Sequence, residues 1–281
     1  MKKEIEFPEC WEEIRPKEWI YLLELYFKLM KKSDKLKLVD LKNEWCRFVL
    51  STRGIKRSSK MEYYLLIYQL SSSLDWMFKI EGNMVALDFN STENLLPYWK
   101  KFRGPLSHGS DLTFGEFRAA VVLYNSYNKD HNEFFLDALC GMLYRKPGKY
   151  PEDSSKFNGE YRVPFSPNRI ELYASYSKNF PDHIKWGIYA WFSSFCQYLV
   201  TGLFIIEGNE LCFSSIFNKN QENEDSKDEV GIGMSSILFS VSESGVFGNI
   251  NDTDNALLLR VMLKLLNDKI TSDELLKSYK K

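Results

Sequence analysis

DLTFGEFRAAVVLYNSYNKDHNEFFLDALCGMLYRKPG, residues 111 to 148, has the best-specified beginning and end in this chain. Thr113 and Glu116 stand at the spacing of a capping box, in which the threonine oxygen accepts from a first-turn N–H and the glutamate reaches back. Leu112, before the cap, and Phe117, at the fourth helical position, are placed to close as a hydrophobic staple. Ala120, Val121, Leu123 and Tyr124 continue the apolar stripe until Asn125, Asn128 and Asp130 interrupt it. A second helix is expected from about His131 to Tyr144, with Phe134, Phe135, Ala138, Leu139 and Met142 inward. Arg145 and Lys146 complement its C-terminal dipole, and Pro147-Gly148 stops it. The stretch reads as a helical hairpin.

The segments before it carry the same helical period. Trp11 to Lys32 has Pro16 suited to a first turn and a broad apolar face made by Trp19, Ile20, Leu22, Leu23, Tyr26, Phe27 and Met30. Lys37 to Ser51 places Leu38, Leu41, Trp45, Phe48 and Val49 at three and four spacing. Ser58 to Phe78 is so rich in Tyr and Leu that burial on more than one side is expected. Gly82-Asn83 then divides two short alternating runs, the signature of a β-hairpin. The basic cluster Arg53, Lys56, Arg57 and Lys60 lacks interleaved aromatics and reads as a solvated turn rather than a nucleic-acid patch.

After the hairpin, residues 147–168 hold Pro147, Pro151, Pro164 and Pro167 with Gly148 and Gly159. That composition marks a linker or long loop, the expected boundary between an N-terminal helical lobe at 1–146 and a C-terminal one at 169–281. A helix is expected near Arg169 to Ser177, followed by the uncharged run GIYAWFSSFCQYLVTGLFII, residues 187–206. Its length would span a bilayer. Ser193, Ser194, Gln197 and Thr201 dilute it, so a buried central helix is the reading, with a membrane-associated factor as the alternative. Ile206-Glu207-Gly208-Asn209 repeats Ile80-Glu81-Gly82-Asn83, which raises duplicated halves as a question. NKNQENEDSKDE, 218–229, reads as a mobile acidic loop. Met234 to Val241 and Ala256 to Asn267 are apolar helical segments, the second capped by Asp252 and Thr253, ahead of a short amphipathic tail helix. The fold class is therefore mainly α, a multi-helix globular bundle with minor β-hairpins.

Composition limits function more than it identifies it. At 281 residues and 44% hydrophobic, one large domain or two modest ones can each bury a core. Lys plus Arg number 37 against 38 Asp plus Glu, so neither nucleic acid nor an anionic membrane is attracted by net charge. The five cysteines form no C-x-x-C pair and no zinc spacing with the three histidines, and are read as reduced, mostly buried thiols. The N-terminus lacks an apolar secretory core, and cytoplasmic synthesis is expected. His131-x-Glu133 beside Asp130 is a helix terminus rather than a metal site. Gly231-x-Gly233 lacks the rest of a phosphate cradle, and no nucleophile elbow surrounds any serine. No catalytic, cofactor-binding or metal residue is assigned and no cofactor is expected. An enzyme remains the competing class, with an active site assembled from residues distant in sequence. Contacts are the positive reading: Trp11, Trp19, Tyr124, Tyr127 and Arg145 are the candidate protein-contact side chains.

Three segments carry a resemblance. Trp11-Glu12-Glu13-Ile14 with Pro16-x-Glu18-Trp19 comes first; Leu95-Leu96-Pro97, Gly104-Pro105 and Leu112-Thr113-Phe114-Gly115-Glu116-Phe117 form the second; Leu143-Tyr144-Arg145 ahead of Pro147 is the third. Together they resemble a group of tail-assembly and virion-associated proteins of tailed bacteriophages and prophages. Cys10, Arg15 and Lys146 depart from that pattern. The resemblance implies a structural or chaperone-like role in building a phage particle, other phage structural or tail-assembly proteins as partners, and a place in the host cytoplasm or the virion.

Overall fold

The computed structural model describes residues 6–31, 37–82, 84–206, 208–217 and 234–279. A 3-10 turn at Trp11–Glu13 leads into α1 (Pro16–Met30), which begins with Pro16 where a missing N–H leaves nothing unpaired. α2 (Leu38–Thr52) packs back against α1, and α3 (Met61–Ser72) against α2. A 3-10 turn at Ser73–Met77 opens into the antiparallel hairpin of β1 (Phe78–Glu81) and β2 (Met84–Leu87). A smaller hairpin, β3 (Tyr98–Trp99) with β4 (Phe102–Arg103), precedes α4 (Phe114–Asp130) and α5 (Glu133–Leu143). Then come α6 (Ile170–Ser177), α7 (Asp182–Thr201), the hairpin β5 (Leu203–Ile206) and β6 (Asn209–Cys212), and α8 (Ser214–Phe217). α9 (Met234–Glu243), α10 (Ile250–Asn255) and α11 (Leu258–Tyr279) complete the described chain. The mainly α class with minor hairpins is what forms.

α4 and α5 match the expected hairpin within two residues, with its cap in place: Thr113 Oγ1 accepts from the Glu116 N–H at 3.2 Å. Leu112 and Phe117 are both buried, as a staple requires. Asn125 and Asn128 do not end α4. They lie on its outer side, and the helix runs to Asp130, where His131 closes it in the left-handed region at φ 51°. The start of α4 is also stitched to the far end of the chain. Phe114 N–H donates to Ala256 O at 2.9 Å, Leu258 N–H to Leu112 O at 2.8 Å, and Arg118 holds Asp254 with two bonds of 2.7 and 2.8 Å from Nη2.

Several expectations are corrected. The 147–168 stretch does not divide the chain into separate lobes: one hydrophobic cluster runs from Trp11 through α7 to Leu266, and α7 packs on both α1 and α5. Within that stretch Val163 N–H donates to Lys146 O and Gly148 N–H to Tyr161 O, so the chain folds back on itself and lies against the body. α3 is not buried on several sides. Tyr63, Ile67 and Ser71 face inward while Tyr64, Leu65 and Tyr68 are half or more exposed, because α2 and the following turn are its main neighbours among the described residues. The uncharged run 187–206 is a buried helix only as far as Thr201; Gly202 breaks it and 203–206 pair as β5. No helix among the described residues is long and apolar enough to cross a membrane. Asp252 and Thr253 lie inside α10, whose cap is Asn249, and the segment from Leu258 continues into the tail as one helix because no Gly or Pro stops it. Only Cys46 and Cys140 of the five free thiols are fully buried. The acidic loop 218–229 lies outside the described residues.

The repeated Ile-Glu-Gly-Asn falls in a hairpin turn both times, with Gly82 at φ 61° and Gly208 at φ 80° where a side chain would be strained. The registers differ, however. Glu81 pairs with Met84 in one hairpin, whereas Ile206 pairs with Asn209 in the other, so the turns are offset by one residue. One further glycine fixes the packing: a Cβ on Gly141 would stand 1.9 Å from the Tyr173 carbonyl oxygen, so α5 and α6 approach at backbone distance.

Candidate functional site

Both ends of the α4–α5 hairpin gather charge, and they do it differently. At its base Glu116 is buried, and its carboxylate turns away from the cap toward two arginines. Arg145 Nη1 donates to Oε1 at 2.7 Å and Nη2 to Oε2 at 3.2 Å; Arg162 Nη1 reaches the same Oε1 at 2.8 Å. The reaching-back half of the expected capping box is therefore absent, because two guanidinium groups outcompete one backbone N–H for the carboxylate. Arg162 Nε also donates to Asp111 Oδ2 at 3.0 Å, and the remaining guanidinium donors find the carbonyls of Val163, Met142 and Leu143. Burial pushes the Glu116 pKa up, but the charges and hydrogen bonds of Arg145 and Arg162 outweigh it and hold the net value below the ordinary one. Within the network two carboxylates and two guanidiniums cancel. A cleft of about 640 Å³ adjoins this network, lined among others by Tyr161, Phe165 and Asn255, but its arginines are already spent.

At the tip, α4, α5, α7 and Phe27 of α1 enclose a cleft of about 780 Å³. Its walls are Phe27, Tyr127, Trp186 and Tyr189, with Asn128, His131, Glu133, Asp137, Lys178, Asp182 and Lys185 completing the polar lining. Such a volume with aromatic walls and a few converging polar groups suits a small ligand or one side chain of a partner. Lys185 Nζ lies 2.5 Å from Asp137 Oδ1, both nearly buried. Burial lowers the lysine pKa, yet the proximity and charge of Asp137 raise it further, so this ammonium keeps its proton. The Tyr127 and Tyr189 phenols are pushed up, first by burial and then by Glu133 and by Tyr124 respectively. His183, outside the cleft against Phe27, is pushed down by burial. Among the described residues no three His, Cys, Asp or Glu side chains are grouped to hold a metal.

A third feature is a stripe rather than a cleft. Met61, Tyr64, Leu65 and Tyr68 recur at the i, i+3, i+4, i+7 spacing of one helix face, exposed by 72%, 50%, 55% and 71%. Lys56, Arg57 and Lys60, all exposed, precede it. Their neighbour Arg53 does not belong to a solvated turn: its side chain is buried against Glu18, with Nε to Oε1 at 3.0 Å and Nη2 to Oε2 at 2.8 Å.

The five candidate contact residues are thus dispersed. Trp11 and Trp19 are 3% and 1% exposed, in edge contact with each other at 5.5 Å and both against Phe89, so the surface-anchor reading of them gives way to burial. Trp76 meets Trp11 edge to face at 5.0 Å in the same cluster, and Trp11 Nε1–H finds Asp88 O at 3.1 Å. Arg145 is likewise buried and committed to Glu116, which removes it from contact. Tyr127 lines the tip cleft. Tyr124 stands behind it, stacked on Tyr189 at 5.1 Å and hydrogen-bonded to Ser193 at 2.9 Å. The sequence does not single out Glu18, Asp111 or Arg162, whose charged partners lie 35 to 51 residues away, and Arg162 sits in a stretch that composition marks as a loop. No protein-family model, curated protein or solved structure matches this chain.

Proposed function

We propose that this protein works through protein contacts as an assembly or virion-associated component of a tailed phage, rather than through catalysis. The observation that carries the contact reading is the α3 stripe. Four large apolar side chains on one helix face, left open to water, form the type of surface that monomeric proteins rarely keep without a partner. The basic residues Lys56, Arg57 and Lys60 at its start select a partner surface that is apolar in the middle and acidic at one edge. The phage setting rests on the resemblance of the three segments above.

The gene's surroundings and its loss test the reading together. Neighbours encoding a tape-measure or tail-tube protein, with particle titre falling when the gene is deleted, is the expected result. A Leu65→Ser/Tyr68→Ser double variant should reproduce that fall while the protein's abundance and melting midpoint hold. A metabolic operon, or normal particles in the deletion, ends the phage reading; normal particles with the double variant alone ends the assignment of the contact to α3.

A further inference from the structure

The tip cleft is a site that the contact reading of α3 does not use. Seven aromatic rings elsewhere among the described residues lie under one of the chain's own cations: Lys42 over Phe78, Arg103 between Tyr98 and Tyr161, Arg118 over Phe114, Lys100 over Trp99, Lys101 over Phe102 and Lys149 over Tyr150. Among the described residues no lysine or arginine lies over Phe27, Tyr127, Trp186 or Tyr189, although Lys178 and Lys185 line the same cleft. Lys185 is prevented by its ion pair with Asp137. Tyr127 meets Tyr189 edge to face at 5.7 Å and Phe27 meets Trp186 likewise at 6.5 Å, while Tyr189 is stacked on Tyr124 behind the cleft at 5.1 Å.

Charge at the rim points the same way. Asp137 and Lys185 cancel. Of the rest, Glu133 and Asp182 enter no ion pair among the described residues, and neither do Lys178 and His131, which leaves two carboxylates against one ammonium and one imidazole. Glu133 lines the cleft beside Tyr127, whose phenol is pushed up first by burial and then by the Glu133 charge, with Lys185 opposing. Aromatic rings attract a cation through the ring quadrupole, and a nearby carboxylate adds charge attraction that an anion would meet as repulsion.

The geometry points to a binding site at the α4–α5 tip for a cationic group of the guanidinium or alkylammonium type. Lys178 sets a limit on the site rather than a contradiction, because its flexible stem leaves its charge free to swing into water. Nothing in this inference depends on α3 or on the phage setting.

The test is titration of the full chain with N-acetyl-arginine amide, tetramethylammonium chloride and sodium acetate at matched ionic strength, followed by calorimetry and by the indole N–H resonance of Trp186. Binding of either cation with a shift at Trp186, and none for acetate, is expected. Preference for the arginine amide would assign the site to a peptide side chain; preference for tetramethylammonium would assign it to a small free cation. Glu133→Gln, at an exposed rim position, and Tyr127→Leu should each weaken the cation by about tenfold, the size of one partly desolvated cation–π or charge contact, with unchanged melting midpoints. Equal response to acetate, a response that leaves Trp186 unmoved, or affinity unaltered by both substitutions overturns the proposal.

Discussion

Two helical hairpins in this protein are closed at the base by the same device, and the second has elaborated it. In α1–α2, the third residue of the first helix, Glu18, is fully buried and pairs with Arg53 directly after the second helix. In α4–α5, the third residue of the first helix, Glu116, is buried and pairs with Arg145 just beyond the second helix. A carboxylate placed there meets both the positive end of its own helix and a guanidinium at the end of its neighbour. The difference is what else each glutamate does. Glu18 also accepts from the Arg15 N–H at 3.0 Å and from Thr52 Oγ1 at 2.8 Å, so it caps its helix and closes the hairpin alone. Glu116 leaves capping to Thr113 and takes a second arginine from the 147–168 stretch. The first hairpin is closed by its own residues and the segment just before it, since Arg53 also donates to Glu13 O; the second is locked to a distant segment.

The largest expected effect comes from removing either carboxylate. Glu116→Ala strands two buried guanidiniums and should fall at the upper end of the roughly 3–5 kcal/mol cost of breaking a buried pair, with Glu18→Ala at the lower end. Equal losses in urea unfolding would erase the distinction between the hairpins. Acid should act on the same groups. For both glutamates burial raises the carboxyl pKa and the arginine bonds more than reverse it, giving a net depression in the fold. Their stabilisation is therefore present above the unfolded glutamate value near about 4.3 and is lost as pH falls through the lower folded values. Stability measured downward from there should decline, and Glu116→Gln should flatten the decline; an unaltered slope would show that Glu116 is not ionised in the fold.

Smaller effects separate the two caps. Thr113→Ala should cost on the order of 1 kcal/mol. Arg15→Ala at the matching position of α1 removes no side-chain cap bond and should leave the melting midpoint near its original value. Matching losses at the two positions would mean that Glu18 does not substitute for a capping hydroxyl. Smallest of all, Leu65→Ser on the open face of α3 should change stability by no more than about 0.5 kcal/mol, since the side chain is already in water. A larger loss would show α3 covered by the fold.

Helix positions were legible in the sequence because each follows from neighbours within four residues. The Thr113 cap, the apolar period and Pro147 sufficed for α4 and α5, and Pro16 for the start of α1. What required the structure is non-local. Thr113-x-x-Glu116 has the spacing of a box whether or not the glutamate reaches back, and only the arrival of Arg145 and Arg162 decides. Arg162 sits among prolines and glycines that describe a loop but not where the loop lies. In α3 the abundance of Tyr and Leu suggested burial on several faces, yet composition cannot count how many neighbours a helix will have. Of the tip cleft, Tyr127, His131 and Glu133 stood out in the sequence, with Tyr124 behind them, but the partners on α7 lie some 60 residues on.

The lock at Glu116 also has a consequence in time. As the chain leaves the ribosome, α1–α2 can complete its Glu18–Arg53 pair over a span of 35 residues, with nothing later required for that bond. The α4 start cannot finish until Arg162 has emerged 46 residues beyond Glu116, nor can Phe114 find Ala256 until most of the remaining chain has followed. Long-range closures of this type are the slow steps of folding. The first hairpin is thus equipped to serve as a template early in synthesis, while the second stays with a buried-type carboxylate still in water until the C-terminal segment arrives to dry it.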